Sequence, residues 1–315
     1  MIWLAWRQQR TEALIAALLL ALAAAVIVPT GLHMASVYEQ EGIAACLAQP
    51  SDGCRENLDA FTSRWDALMN LVVWFNLVPA LLGALIAIPF VAEFERGTFR
   101  LAWTQSITRN RWLAARLVLI VAAALAASLL LTLLLTWWRG PLDDVNGRMV
   151  DSFSLEGIVP IAYTLFAAAL VIAIGVVMRR TAAAVGLALV VFFAVRVTLE
   201  NWARPRYAAK IEETWVGGGG ADLHDAWVFR ETNELRITDG GQPDPAVVQA
   251  CVTDLSSKAL DSACLAEHDI VSYTHVVYHP ASRFWLFQSI EAGIFAALAV
   301  ALVAFSVLWI RKRIS

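Results

Sequence analysis

The apolar positions of this chain are gathered into six long blocks, at about 13–32, 70–91, 113–138, 158–177, 181–199 and 285–310, separated by charged and polar stretches. Each block is rich in Ala, Leu and Val, and each is close to the ~20 residues that a helix needs to cross a ~30 Å hydrocarbon layer. Blocks of that length are too long for strands, and a helix satisfies its own backbone groups where no water is present. The pattern therefore predicts an all-α transmembrane six-helix bundle. Trp138, Trp202, Trp285 and Trp309 fall near block ends, where amphipathic rings settle at a membrane interface.

The polar stretch after the fifth block is of a different kind. Residues 200–284 are too many for an ordinary connection. WVGGGG is a flexible stretch, AWVFRETNELRIT and VSYTHVVYHP read as strands, and PDPAVVQACVTDL and KALDSACLAEH read as helical. Asp244–Pro245 marks a helix start. The expectation is a small mixed α/β extracellular domain at 200–284, set between helices 1–5 (1–199) and a last helix with a basic tail (285–315). His275 and His279 stand four apart, a spacing that serves a metal on a helix. In a strand that geometry is lost, and the two read as ordinary surface or core histidines.

Composition agrees with the block pattern. Of the 315 residues, 59% are hydrophobic and only 16% charged, against about 25% charged in soluble domains; mean hydropathy is +0.62. With a cytoplasmic N-terminus, the inner segments carry Arg7, Arg10, Arg96, Arg100, Arg109, Arg111, Arg116, Arg179, Arg180, Arg311, Lys312 and Arg313. The two short outer loops carry only Arg55, Arg64, Arg139 and Arg148. This bias predicts that both termini are cytoplasmic. A signal peptide fits the N-terminus poorly, because its apolar run exceeds the usual 7–15 residues. MIWLAWRQQR reads as a short interfacial helix or as a plain basic flank.

All four cysteines, Cys46, Cys54, Cys251 and Cys264, fall outside in this arrangement, where disulfides persist. Four cysteines allow three pairings. Short local loops favour Cys46–Cys54 and Cys251–Cys264, and the absence of CxxC pairs argues against zinc.

Between the second and third blocks lies EFERGTFRLAWTQSITRNRW, residues 93–112. Gly97 suits a helix end and Thr98 the N-cap of a new helix. Phe99, Ala102 and Trp103 recur at helical spacing over 98–105. So short an amphipathic helix cannot fold alone. It rests on membrane lipid or on a protein partner.

The E-x-G-T pattern, followed by T-Q-S-I-T-R and a Trp-Leu entry into the next block, resembles the permease subunits of type-2 ABC exporters. It is especially similar to the six-span permeases of high-GC Gram-positive (actinobacterial) bacteria. The opening MIWLAWRQ and the cysteines around CLAQPSDGC share the likeness. The resemblance implies that 98–105 is a cytoplasmic coupling helix docking on a separate ATPase, with Glu95, Gly97, Thr98, Gln105 and Arg109 matching the pattern and Phe99 and Trp103 as docking anchors. It implies a homodimer with two ATPase copies in a bacterial plasma membrane, and spans two and five lining a route at the dimer interface. Asn76, Phe192 and Phe193 are then pathway candidates. Glu291 is a fourth, because ionisable groups within spans are functional candidates by default; the alternatives are helix packing for Asn76 and an interfacial place for Glu291, since 292–310 is long enough to span alone. Arg196, near the end of span five, reads as snorkelling. The outer domain departs from the family pattern.

No GxxxxGK[ST] occurs in the chain, so ATP and Mg are expected on a partner and no cofactor on this chain. No HExxH or GxSxG occurs either, and the expectation is a transport subunit rather than an enzyme, with no nucleic-acid partner. The leading function is export of a hydrophobic or amphipathic substrate. Two rivals stand beside it. One is a membrane-anchored sensor or assembly protein with a ligand-binding outer domain. The other is an ion-coupled secondary transporter, which predicts buried carboxylates or broken helices at the bilayer centre.

Overall fold

In the computed structural model the described residues are 2–49, 52–98, 108–150, 152–216, 223–238, 240–254 and 259–313. They form two compact units, one of Met1–Tyr207 with Phe284–Ser315 and one of Ala208–Arg283.

The first unit is helical. Its elements are α1 (Ile2–Gln40), α2 (Ile43–Ala48), α3 (Asp52–Val72), a 3₁₀ turn at Val73–Leu77, α4 (Val78–Arg96), α5 (Arg109–Asn146), α6 (Val159–Met178), α7 (Thr181–Thr198) and, after the second unit, α10 (Phe284–Arg313). Six helices are long and apolar enough to cross a membrane, over Leu20–Gln40, Trp74–Arg96, Arg109–Asn146, Val159–Met178, Thr181–Arg206 and Ala281–Arg313. The bundle is organised around α6, against which α4, α5, α7 and α10 all pack. Its apolar window is 72% buried, whereas that of α10 is 22% buried. The sequence of α6, VPIAYTLFAAALVIAIGVVM, is apolar on every side, as a helix enclosed by other helices must be.

Close packing around α6 depends on small residues. A Cβ on Gly83 of α4 would overlap the carbonyl oxygen of Thr164 and lie 2.9 Å from the Ala167 Cβ, and one on Gly175 would overlap Val91. In lipid, where no hydrophobic drive separates helix from tail, such contacts carry much of the association.

The segment between the first two spans is a helical hairpin rather than a loop. Phe61 and Trp65 of α3 are buried in a core with Ile27, Met34 and Val37 of α1, Ile43 of α2 and Leu131, Leu135, Trp138 and Leu142 of α5. Leu58, Phe61, Trp65 and Leu68 recur at the 3- and 4-residue spacing of one helix face. The Cys46–Cys54 disulfide closes the hairpin, with Cα atoms 5.3 Å apart. The N-terminal residues expected as a separate interfacial helix are continuous with α1. At 1.5 Å per residue α1 and the 38-residue α5 each run to well over 50 Å, roughly 57 Å, and so exceed a hydrocarbon layer.

The second unit contains an antiparallel sheet of β1 (Ile211–Val216), β5 (Ile270–His279) and β2 (Trp227–Ile237), in that order, and a small pair of β3 (Val252–Asp254) and β4 (Ala259–Leu260). Thr214, His275 and Thr232 stand in register across the sheet. Two short helices, α8 (Pro245–Ala250) and α9 (Ser262–Glu267), are capped by Asp244 and Asp261, whose side chains accept from Ala246 N and Ala263 N at 2.9 Å. Cys251–Cys264 joins them at a Cα separation of 5.5 Å, beside Leu265 and Ile270. His275 shares a hydrogen bond with Thr214 and His279 one with Arg283, on a strand rather than a helix.

The α4–α6 contact supplies a test. Gly83→Leu places bulk against backbone that cannot yield, and overpacking of this kind costs typically ~1–3 kcal/mol. The thermal midpoint of the detergent-solubilised chain is expected to fall clearly, while Gly140→Leu, where a Cβ meets nothing within 4 Å, leaves it near the wild-type value.

Candidate functional site

The sequence-derived candidates fall at the two ends of the bundle. One end carries the C-terminus of α4, the start of α5, the α6–α7 connection and the basic end of α10. Phe99, Trp103 and Gln105 lie outside the described residues, as does the helix expected over 98–105. The residues flanking it are described. Gly97 closes α4 in the left-handed region at φ 69°, a conformation that suits glycine. Thr98 is exposed beside it, and Arg109 is the first residue of α5.

Both flanks are anchored in the bundle. Glu93 of α4 forms an ion pair with Arg116 of α5, and Arg116 is buried. Phe90, Phe94 and Trp112 pack together above that pair, with ring centroids 5.1–6.1 Å apart. Glu95, two residues further on, reaches α7: its Oε2 accepts from Thr181 N at 2.9 Å and from the Thr181 hydroxyl. A carboxylate at a helix N-terminus satisfies orphan N–H groups and meets the positive end of the helix dipole. α7 therefore takes its N-terminal cap from α4. Arg311 of α10 donates to Asn110 at 3.1 Å. The Glu93–Arg116 pair was absent from the sequence candidates. The two residues are 23 apart with nothing local to join them; the clue was a glutamate just past one apolar block and an arginine one turn inside the next.

The opposite end holds a buried polar network. After Thr198 the chain winds through a π-helical turn, Leu199–Ala203, and a 3₁₀ turn, Arg204–Arg206. This brings Arg204 inward against Glu291 of α10, whose two oxygens accept from Arg204 Nε at 2.8 Å and Nη2 at 2.7 Å. The Tyr163 hydroxyl of α6 donates to Glu291 as well, and that of Tyr207 lies 3.4 Å from it. Burial, reinforced by the Glu291 carboxylate, holds the Tyr207 hydroxyl well above its ordinary pKa. Arg204 also reaches Ser154 and stands over the Phe153 ring at 4.2 Å. Three residues before Glu291, Gln288 accepts from the N–H groups of Ile158 and Val159 at 3.1 Å and donates to the Phe153 carbonyl at 2.6 Å. It thereby caps α6 and fixes the buried turn at 152–157.

This geometry specifies what each pathway candidate touches. Glu291 is fully buried and bonded on both oxygens. Arg196 does not snorkel: it is 6% exposed, because Asn76 gives it a backbone carbonyl at 2.8 Å and a side-chain oxygen at 2.7 Å. Phe192 is buried within a cluster of Tyr163, Phe166, Phe193 and Phe295, and Phe193 is half-buried. Glu200 joins Arg196 and Arg204, at 3.8 and 3.5 Å, so two arginines meet two glutamates. The missed members, Tyr163, Arg204 and Gln288, are individually unremarkable in the sequence and gain meaning only through contacts more than 40 residues apart.

Six apolar helices, described ion pairs gathered towards the bundle ends and α4 joined to its neighbours beside a short connecting segment define a multi-pass membrane protein built like a transport permease. A family model described as ABC-2 membrane transporter related matches residues 17–204, which is more than half of the chain, and the chain belongs to that family. Membership makes it an ABC-type permease and implies an ABC ATPase as its partner. No curated protein and no solved structure matches the chain.

The Arg204–Glu291 pair yields a double-mutant test. Removing one partner of a buried ion pair strands the other and costs about 3–5 kcal/mol, whereas replacing both with apolar residues is often neutral. Glu291→Leu alone is expected to lower the unfolding midpoint sharply, and Arg204→Leu with Glu291→Leu to recover most of the loss.

Proposed function

We propose that this chain is the transmembrane subunit of an ABC exporter. It works as a homodimer with two copies of a separate ATPase, which binds the ATP and Mg and performs hydrolysis. In this reading the protein sits in a bacterial plasma membrane with both termini cytoplasmic. Residues 200–284 are extracytoplasmic, and 98–105 form the coupling helix. The cargo is hydrophobic or amphipathic, in keeping with apolar spans.

The observation that carries the reading is the double attachment of α4 to α7. Glu95 caps α7 at one end, and Arg196 grips Asn76, just before α4, at the other. Two helices pinned at both ends move together. Glu93–Arg116 adds α5 at the same end. A push on 98–108 therefore reaches three spans through direct polar contacts, a physically connected route for coupling. A sensor would need no such linkage between its inner segment and the whole bundle.

Two experiments test this. Truncating a buried aromatic anchor at a protein interface commonly costs more than about 2 kcal/mol. Trp103→Ala is therefore expected to reduce ATPase co-purification or uncouple transport from hydrolysis, with the six spans still inserted. Unchanged binding and coupling, with sensitivity only to charge reversal at Arg109 and Arg111, assigns the segment to the lipid surface instead. For topology, a cysteine introduced at Ser315 should resist an impermeant thiol reagent in intact cells, and labelling there overturns the arrangement.

A further inference from the structure

Beside the Arg204–Glu291 network lies a second set of buried charges that the transport reading does not use. Glu156, at the end of the turn that leads into α6, is fully buried. Its Oε2 accepts from Arg148 Nε at 3.2 Å and Nη2 at 2.9 Å. Its Oε1 is equally buried and has no hydrogen-bond donor among the described residues. The carboxyl group of Asp143, on α5, is brought close to Glu156 through Ser152, whose hydroxyl donates to Asp143 and whose carbonyl oxygen accepts from Glu156 N at 3.0 Å. Asp143 in turn accepts from Arg139 Nε at 3.1 Å and from the hydroxyl of Ser152, and Arg139 also donates to Ser152 at 2.5 Å.

Among the described residues, the other neighbours with defined contacts are committed elsewhere. From α10, Phe284 lies under the Arg148 guanidinium, 4.8 Å from it, and Gln288 is committed to Phe153, Ile158 and Val159. Arg204 reaches Ser154 but is held by Glu291. Asp144, next to Asp143, bonds to Tyr38 of α1.

An ionised carboxylate only accepts hydrogen bonds. If Glu156 were ionised, Oε1 would be a buried acceptor without a donor among the described residues, in a group close to a second carboxylate. Arg139 answers the Asp143 charge, but the guanidinium that answers Glu156, that of Arg148, is 38% exposed and solvated, so the buried carboxylates still repel one another. A proton on Glu156 removes both faults: the acid donates to Asp143, and Oε2 still accepts from Arg148. We propose that Glu156 and Asp143 form a proton-binding site, in which one shared proton bonds the turn at 152–157 to α5. The ligand is the proton itself, and alkalinisation releases the turn.

Burial first, then the Asp143 carboxyl, pushes Glu156 up to about 8 against the opposing Arg148, from an ordinary 4.5. In the unfolded chain Glu156 ionises near 4.5, whereas in the fold it keeps its proton to about 8. Its stabilisation is therefore fully present below the lower value and is lost as pH rises through the upper one.

The test compares the full-length wild-type chain with Glu156→Gln in detergent. Glutamine is the neutral isostere: its amide donates to Asp143 and its oxygen accepts from Arg148. The wild-type unfolding midpoint is expected to fall across that pH window relative to the variant, which should match or exceed it at the alkaline end. If Glu156 is ionised at neutral pH, the substitution instead breaks an ion pair and lowers the midpoint there, and the proposal fails. Infrared spectroscopy of the wild-type chain decides independently of how the variant folds. A protonated-carboxyl C=O band that disappears as pH rises through about 8 supports the site, and absence of any such band at neutral pH overturns it.

Discussion

Arg204 and Glu291 impose the constraint on which one end of the bundle depends. Each charge, taken alone out of water, costs several kcal/mol, so the chain must bring them together wherever its spans place them. Glu291 is fixed on α10. Arg204 lies beyond the last regular turn of α7, and the wider π turn at Leu199–Ala203 carries it inward. π turns of this kind recur where a side chain has to be re-aimed. Once the pair forms, the rotation of α10 is set. Gln288 lies on the same helix face three residues away, where it meets the start of α6, and the turn at 152–157 is held between them.

The other end is built on a lighter principle. There a carboxylate serves as the missing cap of a helix separated from its predecessor by only two residues. Met178 closes α6 and Thr181 opens α7, and Arg179 between them takes the left-handed conformation at φ 54°, uncommon for a residue with a Cβ. So short a link has no side chain of its own bonding the first N–H groups of α7, and Glu95 supplies the acceptor from α4. The two ends thus differ in kind. One is a buried, charge-neutral network, and the other joins the buried Arg116, paired with Glu93, to an exposed helix cap beside the segment proposed to meet a partner.

The six spans were legible because bilayer thickness dictates block length, and block length is visible in any sequence. The strands β2 and β5 were legible from alternation, and β1 was not, since IEETWV offers too few residues to show a period. The α3 helix was hidden by its polar composition, although Leu58, Phe61, Trp65 and Leu68 mark its buried face plainly. Both disulfides followed from spacing. The polar networks were the least legible part. Glu291 and Asn76 stood out as polar residues in apolar blocks, but their partners Arg204 and Arg196 looked like ordinary flanking cations. Pairing depends on which helices become neighbours, and a single sequence does not state that.

The Cys46–Cys54 bond bears on the order in which the protein is made. Both cysteines precede α4, so the ring can close as soon as the first 54 residues have emerged, before a second span exists to hold the hairpin in place. Its two partners are eight residues apart, and no later cysteine is needed or available to mispair until residue 251. Oxidation is thereby decoupled from bundle assembly. The finished hairpin meets α5 through its buried apolar face, Phe61 and Trp65.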